Sequence, residues 1–75
     1  MNYIEKTINS YLKDSINYTI CYNRIIDFYE KQNICINIEF LKDFLPSLYL
    51  KNINNLLPKE KKQKCFNYFF KNILK

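Results

Sequence analysis

The chain contains no glycine. Glycine enters left-handed backbone conformations without steric cost, so its absence makes tight two-residue hairpins, phosphate-cradling loops and close backbone approach to a ligand hard to build. Histidine, alanine, valine and tryptophan are missing as well. Without histidine, the usual general base and the commonest metal ligand are both gone. The expectation is a helical fold that works through its outer surface rather than through catalysis.

Composition bears on how the charge is read. Ile (11), Asn (11), Lys (11), Tyr (7) and Phe (6) supply 46 of the 75 residues. All five are written with A/T-rich codons, whereas the missing Ala, Gly and Val need codons starting with G. This pattern suggests an A/T-rich genome: a low-GC bacterium, its phage or plasmid, or an A/T-rich protist. Eleven lysines stand against one arginine, Arg24. Part of that excess is then mutational, and the net charge of +5 points to nucleic acid less strongly than usual.

Seventy-five residues make one domain, 1–75, near the lower limit for independent folding. With 48% hydrophobic and 17% aromatic residues, the chain can fill a core and keep apolar surface to spare. That surplus favours a partner, either another copy in a homodimer or a target protein. Cys21, Cys35 and Cys65 are odd in number and widely spaced. They fit neither a disulfide framework nor a metal site and read as reduced thiols in the cytoplasm. No apolar run is long enough for a membrane span, and the first residues lack the layout of a signal peptide, so a soluble protein without membrane contact is expected.

Residues 2–32 carry helical periodicity. Ile4, Ile8, Tyr11, Ser15, Tyr18, Tyr22, Ile25 and Tyr29 recur in steps of four and three. One helix of that length would run about 45 Å, long for so small a domain, and Asp14-Ser15 predicts a break or bend that folds it into an antiparallel pair. Residues 33–37 predict a loop. Ile34, Ile36, Ile38 and Phe40 also alternate as a strand would, with 18–22 the candidate partner strand. Asn37 is placed to cap a helix over 38–45. Pro46 and Pro58 are each expected to end one helix and begin another. The pieces between and after them are Ser47–Leu57, with Leu48, Tyr49, Ile53, Leu56 and Leu57 inward, and Lys59–Leu74, with Lys62, Phe66, Phe69, Phe70 and Ile73 inward. The fold class expected is an all-α bundle of three to five helices with a basic C-terminal helix.

Charge is segregated along the chain. Residues 1–45 hold five basic and six acidic side chains, net −1, and residues 46–75 hold seven basic and one acidic, net +6. On the last helix Lys61, Lys64, Tyr68, Lys71 and Lys75 follow helical spacing and predict a basic stripe about 20 Å long. Such a stripe can meet phosphates or an acidic protein surface. It is equally the solvated face opposite a phenylalanine core. Tyr11, Tyr18, Tyr22 and Tyr29 form a second candidate surface, since tyrosines bury large areas in binding hot spots. The same seam would be structural if it packed against residues 38–57.

Catalysis has little to stand on. The acids are isolated on helices, no cysteine has a histidine to raise its thiolate fraction, and no phosphate-loop, dinucleotide or hydrolase motif can be written without glycine. No enzyme, cofactor, metal or catalytic residue is expected. The leading expectation is a small inhibitor or adaptor that docks on a larger protein or nucleoprotein. A phage or mobile-element inhibitor of a host nucleic-acid-handling defence enzyme, anti-CRISPR-like in its mode, would have this size, as would a bacteriocin-immunity or antitoxin-like bundle. The alternative is a small DNA- or RNA-binding protein using the C-terminal lysines. A helix-turn-helix is the less suitable form of it, because its turn often uses glycine and residues 59–74 carry bulky aromatics on the buried side.

Overall fold

The computed structural model describes residues 2–75, apart from the side chain of Asn55. Four helices follow one another: α1 (Tyr3–Leu12), α2 (Tyr18–Lys31), α3 (Ile38–Asn55) and α4 (Lys59–Asn72). The fold is all-α, as the periodicity predicts. The helix starts rest on asparagine. The side chains of Asn2, Asn17 and Asn37 each accept a hydrogen bond from the backbone N–H three residues on, at Glu5, Ile20 and Phe40. Each satisfies one of the donors left unpaired in a first helical turn.

The helix ends show how a glycine-free chain turns. Asp14 (φ 63°) and Asn33 (φ 56°) take the left-handed conformation just beyond α1 and α2. Around them the amides of Ser15 and Ile34 reach back to the carbonyls of Ser10 and Tyr29, closing the loops that usually need glycine. Asp and Asn are the residues that tolerate this conformation best after glycine. The break expected at Asp14-Ser15 is therefore present. Asp14 closes the first helix, and Asn17 starts the second.

Two expectations are corrected on α3. Pro46 does not separate two helices; it lies inside one continuous helix. Its ring faces solvent, so the Lys42 carbonyl that loses a partner lies on the exposed side. An interior proline costs about 3 kcal/mol, and continuing the helix buries Leu45 and Leu48, each contributing about 1.5–3 kcal/mol. The second correction follows from the first. An unbroken register puts Leu41, Leu45 and Leu48 inward and turns Leu50 and Ile53 outward, Ile53 being 56% exposed. Leu56, expected in the core, is 80% exposed in the turn after α3. Tyr49 and Leu57 are half-buried.

α1 and α2 pack antiparallel: Tyr3 stacks on Phe28 at one end, and Tyr11 meets Tyr18 edge-on at the other. Both helices lie against α3, and α4 covers a further side of it. The core joins all four through Ile4, Ile8, Leu12, Cys21, Ile25, Leu41, Leu45, Leu48, Phe66, Phe69 and Ile73. Asn52 donates to the Leu12 carbonyl at 3.3 Å, giving a partner to one acceptor at the end of α1. The alternation over residues 34–40 leaves its trace as one antiparallel bridge, Ile36 with Leu74, whereas 18–22 is helical. The amide of Asn37 donates to the Ile73 carbonyl at 2.7 Å and that of Lys75 to the Cys35 carbonyl at 3.3 Å, tying the end of the chain to the α2–α3 loop.

Leu56 carries the third left-handed conformation (φ 46°), and here the side chain is unsuited to it. A non-glycine residue loses about 1–2 kcal/mol there, and this leucine recovers little by burial. Leu56→Gly is expected to raise stability by about 0.5–1 kcal/mol after the glycine's own entropic cost, or roughly 2–8 °C in Tm. Thermal unfolding followed by circular dichroism measures it; an unchanged or lower Tm contradicts the strain.

Candidate docking surface

α4 separates its chemistry by face. Phe66, Phe69 and Ile73 are buried at one side, while Lys61, Lys64, Tyr68 and Lys71 recur at steps of three and four on the other. All four stripe residues are exposed, Tyr68 by 57%. From Lys61 to Lys71 the stripe runs about 15 Å. Lys75 is exposed too, yet it lies beyond the helix in the bridged terminus, so it extends the basic surface without sharing its helical spacing. Lys62, expected inward, is half-buried among the core-facing positions, as a lysine stem can be while its ammonium reaches water.

Tyr68 joins this stripe to α3. Its ring lies 5.8 Å from that of Phe40 and stacks on Phe44 at 6.4 Å. Phe40 and Phe44 stack on each other at 5.3 Å, and Phe69 closes the cluster from below at 5.1 Å from Phe44. Because these contacts pair the early part of α3 with the later part of α4, the two helices run antiparallel. Between them opens a groove of about 520 Å³. Phe40, Asp43, Phe44, Ser47, Leu48 and Lys51 line it from α3, and Lys64, Cys65 and Tyr68 from α4. A second recess, about 470 Å³, lies between α1 and α2 with Tyr3, Arg24, Asp27, Phe28, Lys31 and Gln32 around it.

The tyrosine seam takes its structural role over most of its length. Tyr11 and Tyr29 are buried, 6% and 7% exposed, and cannot meet a partner in this fold. Tyr11 leans on Tyr49 of α3 with ring centroids 5.0 Å apart, and Tyr29 meets Phe28 edge-on. Tyr18 and Tyr22 stack on each other and are half-buried. The seam is thus buried at Tyr11 and Tyr29 and half-buried at Tyr18 and Tyr22, with Tyr11 reaching α3 through Tyr49, and the tyrosine most open to a partner near the lysines is Tyr68. The Tyr49 hydroxyl donates to the Asp14 carboxylate, linking α3 to the α1–α2 turn.

The groove is the part that sequence reading misses. Phe40, Phe44, Ser47 and Lys51 stand at i, i+4, i+7 and i+11, one face of a helix that reaches past Pro46. The signal was present, but it is visible only when the proline is allowed inside the helix. Among the described residues no three cysteine or acidic side chains gather as a metal site requires, and no helix is long and apolar enough to cross a membrane. Neither a family model, nor a curated protein, nor a solved structure matches this chain.

Burial also sets the alkaline behaviour. Cys21 is fully buried, its Sγ directed at the Thr7 carbonyl, and desolvation pushes its thiol from 9.0 up to about 12, despite the opposing charge of Arg24. Desolvation raises Tyr11, Tyr18 and Tyr29, and the hydrogen bond to Asp14 raises Tyr49. In each case the folded state holds its proton to higher pH than the unfolded chain, so stability falls as pH rises. The thiol's contribution is complete below pH 9 and lost progressively toward about pH 12. Urea midpoints measured across this range should decline, and Cys21→Ala should flatten the decline; a slope unaltered by that substitution would exclude Cys21 as a source.

Proposed function

We propose that this chain is a non-enzymatic docking protein whose α3–α4 face seats on an acidic surface of a larger macromolecule. One observation carries the reading: an exposed lysine stripe borders an aromatic groove, and the two share Lys64 and Tyr68. Lysines steer an acidic partner and an apolar recess supplies desolvated contact area, the combination found at specific interfaces. Tyr68 is the anchor of this surface, Lys61, Lys64 and Lys71 its charged rim, and Lys75 an outlying contribution. A domain of this size inhibits or adapts by occupying a partner's working surface. A protein that handles nucleic acid fits as a target where an acidic partner-binding or regulatory face, rather than its basic nucleic-acid face, receives the lysines. The unpaired thiols of Cys21, Cys35 and Cys65 agree with work in a reducing cytoplasm.

A second reading has its own support. An exposed aromatic ring among lysines is also what a single nucleic-acid strand stacks on. Salt separates the two. Binding of plain duplex or single strand that falls steeply between about 50 and about 200 mM salt would favour this second reading.

The docking reading is tested by affinity purification from the source cell with wild type and with Lys61→Glu/Lys71→Glu. Both positions are exposed, so helix content by circular dichroism should not change. The wild type should retain an acidic protein partner that the reversed variant loses; equal recovery by the two proteins contradicts the reading.

A further inference from the structure

The α3–α4 groove has unlike ends. Lys51 lies in the last third of α3 and Lys64 in the first half of α4, so both residues line the groove nearer the turn at Pro58 than Phe44 and Tyr68 do. Phe44 and Tyr68 form the wall farther along, and Asp43 stands on the α3 rim. An occupant must therefore offer anionic groups at one end and an apolar ring or branched chain in the middle. A nucleic-acid strand carries a phosphate at every step, including beside Asp43, where like charges repel. An acyl chain would leave much of its length in water, because the groove is open along its mouth. A peptide helix matches better, since carboxylates and apolar side chains three or four residues apart share one face.

An added β-strand is a poor fit. Apart from the Lys42 carbonyl freed by Pro46, the helical backbone of both walls is spent on its own hydrogen bonds, and the one bridge among the described residues joins Ile36 to Leu74. Charge complementarity selects the sign of the partner: residues 46–75, which supply Lys51 and all of α4, carry net +6.

We propose that this groove seats an acidic amphipathic helix of a partner protein, with one aromatic or leucine side chain packed against Phe44 and Tyr68 and neighbouring carboxylates on Lys51 and Lys64. The inference rests on the docking reading and names the chemistry of the segment that docks. Lys61 and Lys71 lie outside the groove lining and act as longer-range attraction.

Cys65 makes the groove testable, because its half-buried thiol lies in the lining. Cys21 is inaccessible, and Cys35→Ser removes the exposed thiol, leaving Cys65 as the site of maleimide reaction. The probe is a synthetic helix of about 16 residues with phenylalanines at i and i+4 and glutamates around them, long enough to be helical on binding. It should slow Cys65 alkylation in proportion to occupancy. Replacing its glutamates by glutamine, or introducing Lys51→Glu/Lys64→Glu in the protein, should each weaken binding by about tenfold or more. Lys61→Glu/Lys71→Glu should weaken it less. No protection of Cys65, protection unaltered by reversing Lys51 and Lys64, or tighter protection by oligothymidylate than by the peptide would each overturn the proposal. If the peptide fails while Lys61→Glu/Lys71→Glu still abolishes partner recovery, the groove is wrong and the docking face stands. Failure of both removes the docking reading as well.

Discussion

The passage of α3 through Pro46 decides the architecture. Because the helix does not stop there, Leu41, Leu45 and Leu48 stay in one register and present a single apolar face to α1, α2 and α4. The missing hydrogen bond falls on the solvent side, where water can satisfy the freed carbonyl. Two shorter helices with a turn between them would have had to rebuild the interface on each side of the turn. In a chain this small, the burial of two leucines outweighs one proline. The same register turns Leu50 and Ile53 to solvent and lines up Phe40, Phe44, Ser47 and Lys51 along the groove. Core and candidate site are thus consequences of one backbone decision.

The helical class, the break at Asp14-Ser15, the cap at Asn37 and the start of the last helix at Lys59 were legible in the sequence. They rest on local signals: spacing, capping side chains and a proline at a helix boundary. The fate of Pro46 was not legible, because it depends on tertiary burial that local propensity does not contain. Asparagine gives the opposite lesson. Its abundance reads as codon bias, yet Asn2, Asn17 and Asn37 cap helices and Asn33 holds a left-handed turn. Biased composition was put to structural use, and turns that glycine normally makes were made by Asp14 and Asn33, with Leu56 the strained exception.

For the candidate surface, the exposed row of Lys61, Lys64, Tyr68 and Lys71 was readable from spacing alone, since opposite faces of one helix follow directly from sequence, whereas Lys75 lies past the end of that helix. The tyrosine seam was not resolvable in the same way. Tyrosine suits both a core and an interface, and only packing distinguishes them. Tyr11 and Tyr29 were claimed by the core, so the open aromatic contact passes to Tyr68, whose ring rests on Phe40 and Phe44. The net −1 of residues 1–45 and net +6 of residues 46–75 acquire meaning here as well, because the positive segment supplies the whole of α4 and the Lys51 end of the groove.

How firmly α4 is held matters for what its surface can do. Its buried face is anchored by Phe66, Phe69 and Ile73, and its first residue follows directly on Pro58. At the other end the chain is tied to the α2–α3 loop, through Ile73 with Asn37 and Lys75 with Cys35. A helix held along its inner face and at its C-terminal end presents its lysines and Tyr68 in one arrangement. Less backbone freedom is then lost when a partner arrives, and more of the contact energy appears as affinity. The short bridge between Ile36 and Leu74 thus contributes to function at a distance, by holding the end of a helix whose opposite face makes the contact.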